Sequence, residues 1–208
     1  MHYMRSNILF LFLSLVFTGV FFSSCKKGDN DPFLSTRSRK ARMVGSWKLH
    51  SGSTFYSYPF QGDVKETYTN SQIMYDSAGV KKVNAFTWDL TFENEGSFTS
   101  VIQETAPGGI METETIKGRW QFVMNNKKDG LKNREAIVLT VKDYSISSGG
   151  VLSGYKTINP ISGSIWRLDQ LSHHEFTIVM EETEAVPAGI RKDQRKFTFR
   201  SLKKSVVV

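Results

Sequence analysis

The chain of 208 residues carries 27 lysines and arginines against 20 aspartates and glutamates, which gives a formal net charge of +7. Its length suits one domain with a single hydrophobic core. The positive excess is modest and forms no broad basic face with interleaved aromatic residues, so the sequence does not predict nucleic-acid binding. A single cysteine excludes an intramolecular disulfide.

Residues 1–24 have the layout of a signal peptide. Arg5 is followed by an uncharged apolar run over residues 8–22, shorter than the roughly 20 residues that a membrane-spanning helix requires. The run ends at Ser23-Ser24-Cys25, which resembles the lipobox of bacterial lipoproteins, although Phe22 replaces the usual leucine. The resemblance implies cleavage before Cys25 and a diacylglycerol on its sulfur. The alternative is an ordinary signal peptide with an incidental cysteine.

Residues 25–41 are predicted to form a lipidated flexible tether. Lys26-Lys27-Gly28-Asp29 opens a polar stretch that cannot form a core. Such a start is similar to that of lipoproteins in Bacteroidetes-type bacteria, which implies the outer membrane, on its periplasmic face or at the cell surface. The densest basic run follows at Arg37, Arg39, Lys40 and Arg42. It is interpreted either as a contact for anionic headgroups or as a solvated charged segment.

Residues 42–208 are predicted to form one all-β domain. In the segment 88–92, apolar side chains occupy every second position, which is typical of a half-buried strand. Asn94-Glu95-Gly96 supplies a turn, and the alternation resumes afterwards, so residues 86–104 are predicted to form a hairpin.

The same alternation recurs along the rest of the domain. Further strands are predicted at 46–56, 64–75, 116–122, 136–142, 151–158, 166–169, 176–180 and 197–200. So many consecutive antiparallel strands would leave exposed edges in an open sheet, and closure removes those edges. We therefore expect an up-and-down barrel of about 8–10 strands. An immunoglobulin-like sandwich is the rival, without its Cys–Trp–Cys signature.

Three motifs resemble those of the lipocalin-like lipoprotein domains of Bacteroidetes-type bacteria. They are Gly45-Ser46-Trp47, the hairpin pattern L-T-F-x-x-x-G-x-F that begins at Leu90, and Gly118-Arg119-Trp120. The resemblance implies a lipocalin-like barrel in which Trp47 closes the floor and Arg200, on the last strand, lies across it. An exposed Arg200 is the alternative. These motifs are structural and support a fold better than a function.

The sequence offers little for catalysis. Cleavage would leave His50, His173 and His174, with no thiol free for chemistry, and no zinc, nucleophile-elbow or phosphate-loop motif is present. Paired glutamates at 93/95, 112/114 and 181/182/184 have the spacing of glycosidase carboxylates, but they also suit a solvated outer face. We therefore predict no catalytic residues, no metal and no cofactor, with a hydrolase as the remaining enzymatic alternative.

The leading hypothesis is a lipid-anchored envelope protein that binds a small hydrophobic or amphipathic ligand in the barrel. Six apolar side chains are predicted to face that interior: Trp88, Leu90, Trp120, Phe122, Phe176 and Ile178. The alternative is a non-enzymatic scaffold with a filled barrel, whose loops at 52–66, 105–113 and 143–160 contact a protein or glycan partner. The membrane, through the lipid anchor, is the other predicted partner.

Overall fold

A computed structural model describes residues 37–59, 62–125, 130–131, 135–157, 163–186 and 189–202, and these are almost entirely β-strand. A short helix, α1 (Arg39–Met43), precedes eleven strands. The strands are β1 (Gly45–Tyr58), β2 (Gly62–Thr69), β3 (Gln72–Ser77), β4 (Val80–Phe92), β5 (Ser97–Thr105), β6 (Glu112–Phe122), β7 (Ala136–Ser148), β8 (Val151–Thr157), β9 (Gly163–Leu171), β10 (Glu175–Val186) and β11 (Gly189–Ser201). The all-β prediction is confirmed. Cys25 and the predicted signal peptide lie outside the described residues.

Ten of the strands close into one antiparallel barrel. Each of β1 to β6 pairs with its successor, β7 pairs with β9, and β9, β10 and β11 continue the circuit. The last strand then pairs with the first, from Trp47↔Ser201 to Ser57↔Lys192. The predicted closed barrel is therefore confirmed. Strand β8 lies outside this circuit and pairs with the second half of β7.

The barrel is narrower at one end than at the other. At the end where β1 begins, here called the lower end, β1 pairs directly with β4 from Gly45↔Phe92 to Lys48↔Asp89. Beyond a register shift between Leu49 and Ser51, β1 pairs with β2 instead, so β2 and β3 are inserted only in the upper half. Because barrel diameter grows with strand number, the upper half has the wider interior.

The upper wall also changes beside β10. Strand β7 pairs with β9 over Ala136–Thr140 and with β8 over Asp143–Ser148. The pairing of β10 with β9 ends at Val179↔Arg167. Above that level, in the described part of the chain, β10 pairs with β11 alone, which leaves a side of the upper barrel open.

Three segments differ from the sequence prediction. The single strand predicted at 64–75 is two strands, β2 and β3, separated by a tight turn at Asn70 and Ser71. The loops predicted at 52–66 and 143–160 are mostly strand in their described residues. Their glycines, serines and tyrosines suggested loops, but these small and aromatic residues alternate between the two faces of long strands.

Aromatic side chains fill the lower half of the barrel. Trp47 is 1% exposed, and its ring meets Phe176 edge-on at 4.8 Å between centroids. Phe176 in turn stacks on Phe199 at 4.8 Å and lies 6.2 Å from Phe92. Such pairs add about 0.5–1.5 kcal/mol each beyond the burial of their area. In the described residues, the lower half is thus a packed aromatic core.

Helix α1 covers the lower end of the barrel. Ser38 caps it by accepting a hydrogen bond from the Ala41 amide at 3.1 Å. Met43 is fully buried, and its carbonyl accepts a hydrogen bond from the Trp47 indole at 2.9 Å. Gly45, with a φ of 144°, then redirects the chain into β1. Helix α1, from Arg39 to Met43, is therefore packed against the barrel.

The arginines at the lower end correct two expectations. Arg39 and Arg42 are each 4% exposed, and Arg42 donates to the Leu171 carbonyl, so these two belong neither to a solvated segment nor to a headgroup contact. Arg200 does not lie across Trp47. Its side chain points outward and pairs with Glu175 at 3.0 Å, because its neighbours Phe199 and Ser201 take the other face of β11.

Candidate functional site

A chamber of about 360 Å³ lies in the upper half of the barrel, directly above the packed core. Its floor is aromatic and consists of Phe86, Trp88, Trp166 and Phe197. Trp88 meets Trp166 edge-on at 6.0 Å and Phe197 at 5.0 Å, and its indole donates to the Ser100 hydroxyl at 2.9 Å. The floor is therefore held rigidly in place.

The side walls of the chamber differ in polarity. One wall, formed by β5 and β6, is aliphatic, with Ile102 and Ile116. The opposite wall, formed by β1, β2 and β11, carries hydroxyl, phenol and charged groups. The exposed residues Ser164 and Glu182 line the chamber where it meets solvent. The arrangement suits a molecule with one apolar and one polar end.

An ion pair lies in the polar wall. Asp193 is 2% exposed and accepts from Arg195 Nε at 2.9 Å, with a second, shorter contact from Nη2. This hydrogen bonding raises the pKa of Arg195 above its ordinary value, although burial opposes it. The guanidinium also lies over the Tyr56 ring, 5.5 Å from its centroid. The guanidinium of Arg195 is therefore already paired with Asp193 and Tyr56 in the same wall.

Beside the chamber, two tyrosines donate to carboxylates, one to a residue of its own strand β2 and one from β3 across β4 to β5. Tyr68 donates to Glu66 Oε2 at 2.6 Å, and Tyr75 donates to Glu104 Oε1 at 2.7 Å. Asn84 Nδ2 donates to the same Oε1 atom of Glu104. Phenol and amide donors thus orient both carboxylates inside the upper barrel.

The same contacts keep the phenols protonated. Burial raises the pKa of Tyr68, and its hydrogen bond to Glu66 raises it further. Burial and then the hydrogen bond to Glu104 likewise raise the pKa of Tyr75. Since an ordinary tyrosine already has a pKa near 10, both side chains remain hydroxyl donors at neutral pH.

Asn84 presents an acceptor atom that the described part of the chain does not satisfy. Its side chain is 3% exposed and lies on the interior face of β4, as does Phe86 of the chamber floor. Because a carboxylate only accepts, Asn84 must turn its Nδ2 atom toward Glu104, and Oδ1 then points away. Within the described residues Oδ1 has no hydrogen-bond donor.

Of the six side chains predicted to face a ligand, one lines the chamber. Trp88 lies in its floor. Leu90, Trp120, Phe176 and Ile178 belong to the packed core of the barrel, and Phe122 is half-buried and packs against that core. All six point inward, but the sequence pattern does not show at which height the filled core ends.

Sequence reasoning missed the polar residues of the upper interior. These are Thr54, Tyr56, Glu66, Tyr68, Tyr75, Asn84, Glu104, Asp193 and Arg195. A signal was present, because strand alternation continues past the apolar positions. Glu104 follows Ile102 on one face of β5, and Arg195 precedes Phe197 on one face of β11.

The groups considered for catalysis lie apart from each other. His173 and His174 are in the lower turn between β9 and β10, and burial together with Arg37 and Arg42 lowers the pKa of His173. Of the paired glutamates, Glu182 borders the chamber and Glu184 pairs with Arg191 at 3.5 Å. Among the described residues no cluster of His, Cys, Asp or Glu has the arrangement of a metal site.

A larger groove, of about 700 Å³, lies near the lower end between α1 and β6. Its lining combines Trp120 and Phe122 with the exposed side chains of Lys40, Glu95 and Arg119. The buried polar groups that fix a ligand's orientation are found in the chamber instead. The chamber is therefore the stronger candidate site.

Fold and chamber together define a closed antiparallel β-barrel with an internal pocket in its wider half. No family model matches the sequence, and neither a curated protein nor a solved structure matches it. The likeness to lipocalin-like domains thus stays a prediction from the motifs. No helix in the described residues has the length and apolar character needed to cross a membrane.

Proposed function

We propose that the protein binds one small amphipathic molecule in the upper chamber. The observation that carries this proposal is the division of the barrel interior into a filled aromatic core and a chamber of about 360 Å³. That volume lies within the roughly 300–1,000 Å³ typical of ligand pockets. The apolar part of the ligand would contact Trp88 and Trp166, and its polar part would face Tyr56 and Glu182.

Binding fits the chamber better than catalysis does. The carboxylates of Glu66 and Glu104 accept hydrogen bonds from tyrosines, and Asp193 is paired with Arg195. General acid–base catalysis needs a group poised to exchange protons with a substrate, whereas these groups orient one another. We therefore propose a non-enzymatic role.

We further propose that Cys25 is lipidated and anchors the protein in the bacterial cell envelope. The basis is the apolar run and the small residues before Cys25. The first described residues and α1 lie at the lower end, whereas the chamber occupies the upper half. An anchor before α1 would therefore attach at the end farther from the chamber and leave the ligand's entry route clear of the membrane.

The binding proposal is tested by filling the chamber. Ile116 lines the chamber, so Ile116→Trp would place a bulky side chain inside it. We expect native mass spectrometry of this variant, purified from envelope extract, to detect less bound ligand than in the wild type. Ile165→Trp is the matched control, because Ile165 is 45% exposed and lies on the opposite face of its strand from Trp166. Equal ligand recovery from both variants would contradict the proposal.

A scaffold remains the second candidate because of an exposed apolar hairpin. Val151, Leu152 and Tyr155 of β8 are 62–72% exposed, and Ile110 in the neighbouring β5–β6 turn is 68% exposed. Such exposed side chains often mark protein contacts. Replacing Val151 and Leu152 with serine would abolish capture of a partner from envelope extract if this candidate is correct, and would leave small-ligand binding unchanged.

A further inference from the structure

We propose that the polar end of the bound molecule is an ammonium group bearing at least one N–H, an inference that rests on the binding function proposed above. Among the described residues, the carboxylates of Glu182 and Asp193 line the chamber together with the Arg195 guanidinium, and the carboxylates of Glu66 and Glu104 lie beside it. A cleft lined by one sign of charge, with low-dielectric walls, concentrates ligands of the opposite sign. A carboxylate or phosphate ligand would be repelled there.

The aromatic side chains favour the same ligand charge. Tyr56, Tyr68, Phe86 and Trp88 all line the chamber, and aromatic ring faces attract cations within about 6 Å of the ring centroid. The structure already contains one such contact, between Arg195 and Tyr56. Since Arg195 is also paired with Asp193, the net negative charge of the other carboxylates remains for a ligand.

The hydrogen-bonding groups determine which kind of cation fits. Both hydrogen bonds to Glu104 end on Oε1, and Asn84 Oδ1 is buried without a donor in the described part of the chain. These are acceptor positions, and an ammonium group has N–H donors and no acceptor. A quaternary ammonium has no N–H, so it would gain the charge attraction but leave Asn84 Oδ1 unsatisfied.

The first experiment compares four molecules with the same octyl chain. Octylamine, octyltrimethylammonium, octanol and octanoate are titrated into the full-length protein by calorimetry, with tryptophan fluorescence as a second readout. We expect octylamine to bind about 10- to 100-fold more tightly than octanol, the factor for a hydrogen bond to a charged group. Octyltrimethylammonium should fall between them, and octanoate should bind weakest.

The second experiment separates charge from hydrogen bonding. Glu104→Gln should weaken octylamine binding by about tenfold or more and leave octanol unchanged, because the amide keeps the shape without the charge. The outward-facing, exposed Glu181→Gln is the matched control. Asn84→Ala should weaken octylamine and leave octyltrimethylammonium unchanged. Melting temperatures of all variants establish that they are folded.

These titrations distinguish the preference for an ammonium ligand from the binding function proposed above. Binding of octanol or octanoate as tightly as octylamine would overturn the ammonium inference and leave the binding function standing. Absence of binding by all four molecules to the wild-type chain would overturn both. Equal losses in Glu104→Gln and Glu181→Gln would show that the attraction comes from overall charge and would also overturn the assignment to this chamber.

Discussion

Gly118 provides the sharpest test of the barrel's packing. Gly118 lies on the face of β6 that points into the barrel, at a register shift between β6 and β7. A Cβ atom there would lie 2.1 Å from the Thr140 carbonyl oxygen and 2.8 Å from the Phe98 ring. The nearer atom belongs to the backbone, so no side-chain rotation relieves the overlap. Gly118→Ala must therefore separate β6 from β7 locally, at a cost of about 1–3 kcal/mol or more.

The assay is equilibrium unfolding in urea followed by circular dichroism, together with a thermal melt. A chain of this size loses about 2–4 °C in melting temperature for each kcal/mol, so we expect Gly118→Ala to melt roughly 2–12 °C lower. Gly154→Ala is the matched control, because Gly154 is also in a strand and a Cβ there would have no atom within 4 Å. The control should be unchanged or slightly stabilised. Equal stability of the two variants would refute the reasoning.

Four further measurements test other parts of the structure. Phe176→Ala empties a fully buried position in the lower core and should lower the unfolding free energy by about 3–5 kcal/mol in the same urea assay. Burial raises the pKa of Glu114 above its ordinary 4.5. Because the carboxyl then ionises more easily in the unfolded chain, the free energy of unfolding should fall as pH rises above that value. Glu114→Gln should remove this fall, and the control Glu181→Gln should keep it. The pKa of Tyr68 is raised from 10.0, so ultraviolet titration near pH 10 should show fewer tyrosinates in the folded than in the unfolded protein. The free energy of unfolding should decline as pH rises above 10. Cys25→Ser should abolish metabolic labelling with fatty acid and release the protein from membranes, whereas continued labelling would contradict lipidation.

Much of the fold could be predicted because alternating burial is recorded directly in the sequence. The hairpin around Asn94-Glu95-Gly96 and the strands containing Trp120, Phe176 and Phe199 follow from apolar residues at every second position. Closure followed from the need to remove exposed edges. The division of residues 64–75 into two strands was missed, because the turn at Asn70 and Ser71 interrupts the alternation too briefly.

The candidate site was harder to predict for a physical reason. Alternation identifies which residues face inward, but strand register determines their height in the barrel, and register depends on long-range pairing. Leu90 and Trp88 are therefore indistinguishable by pattern, although one fills the core and the other lines the chamber. The positions of Glu66 and Asp193 inside the barrel were not predicted, because they depend on β2 and β11 lying on either side of β1.

Because β2 and β3 are inserted in only one half of the barrel, the residues that stabilise the fold lie largely apart from those that line the chamber. Folding free energy comes mainly from the eight-stranded part around Trp47 and Phe92, because apolar burial supplies most of it. Substitutions higher up at the exposed Glu182, which lines the chamber, should then alter ligand preference at little cost in melting temperature. Chains with the same lower core could then bind different ligands.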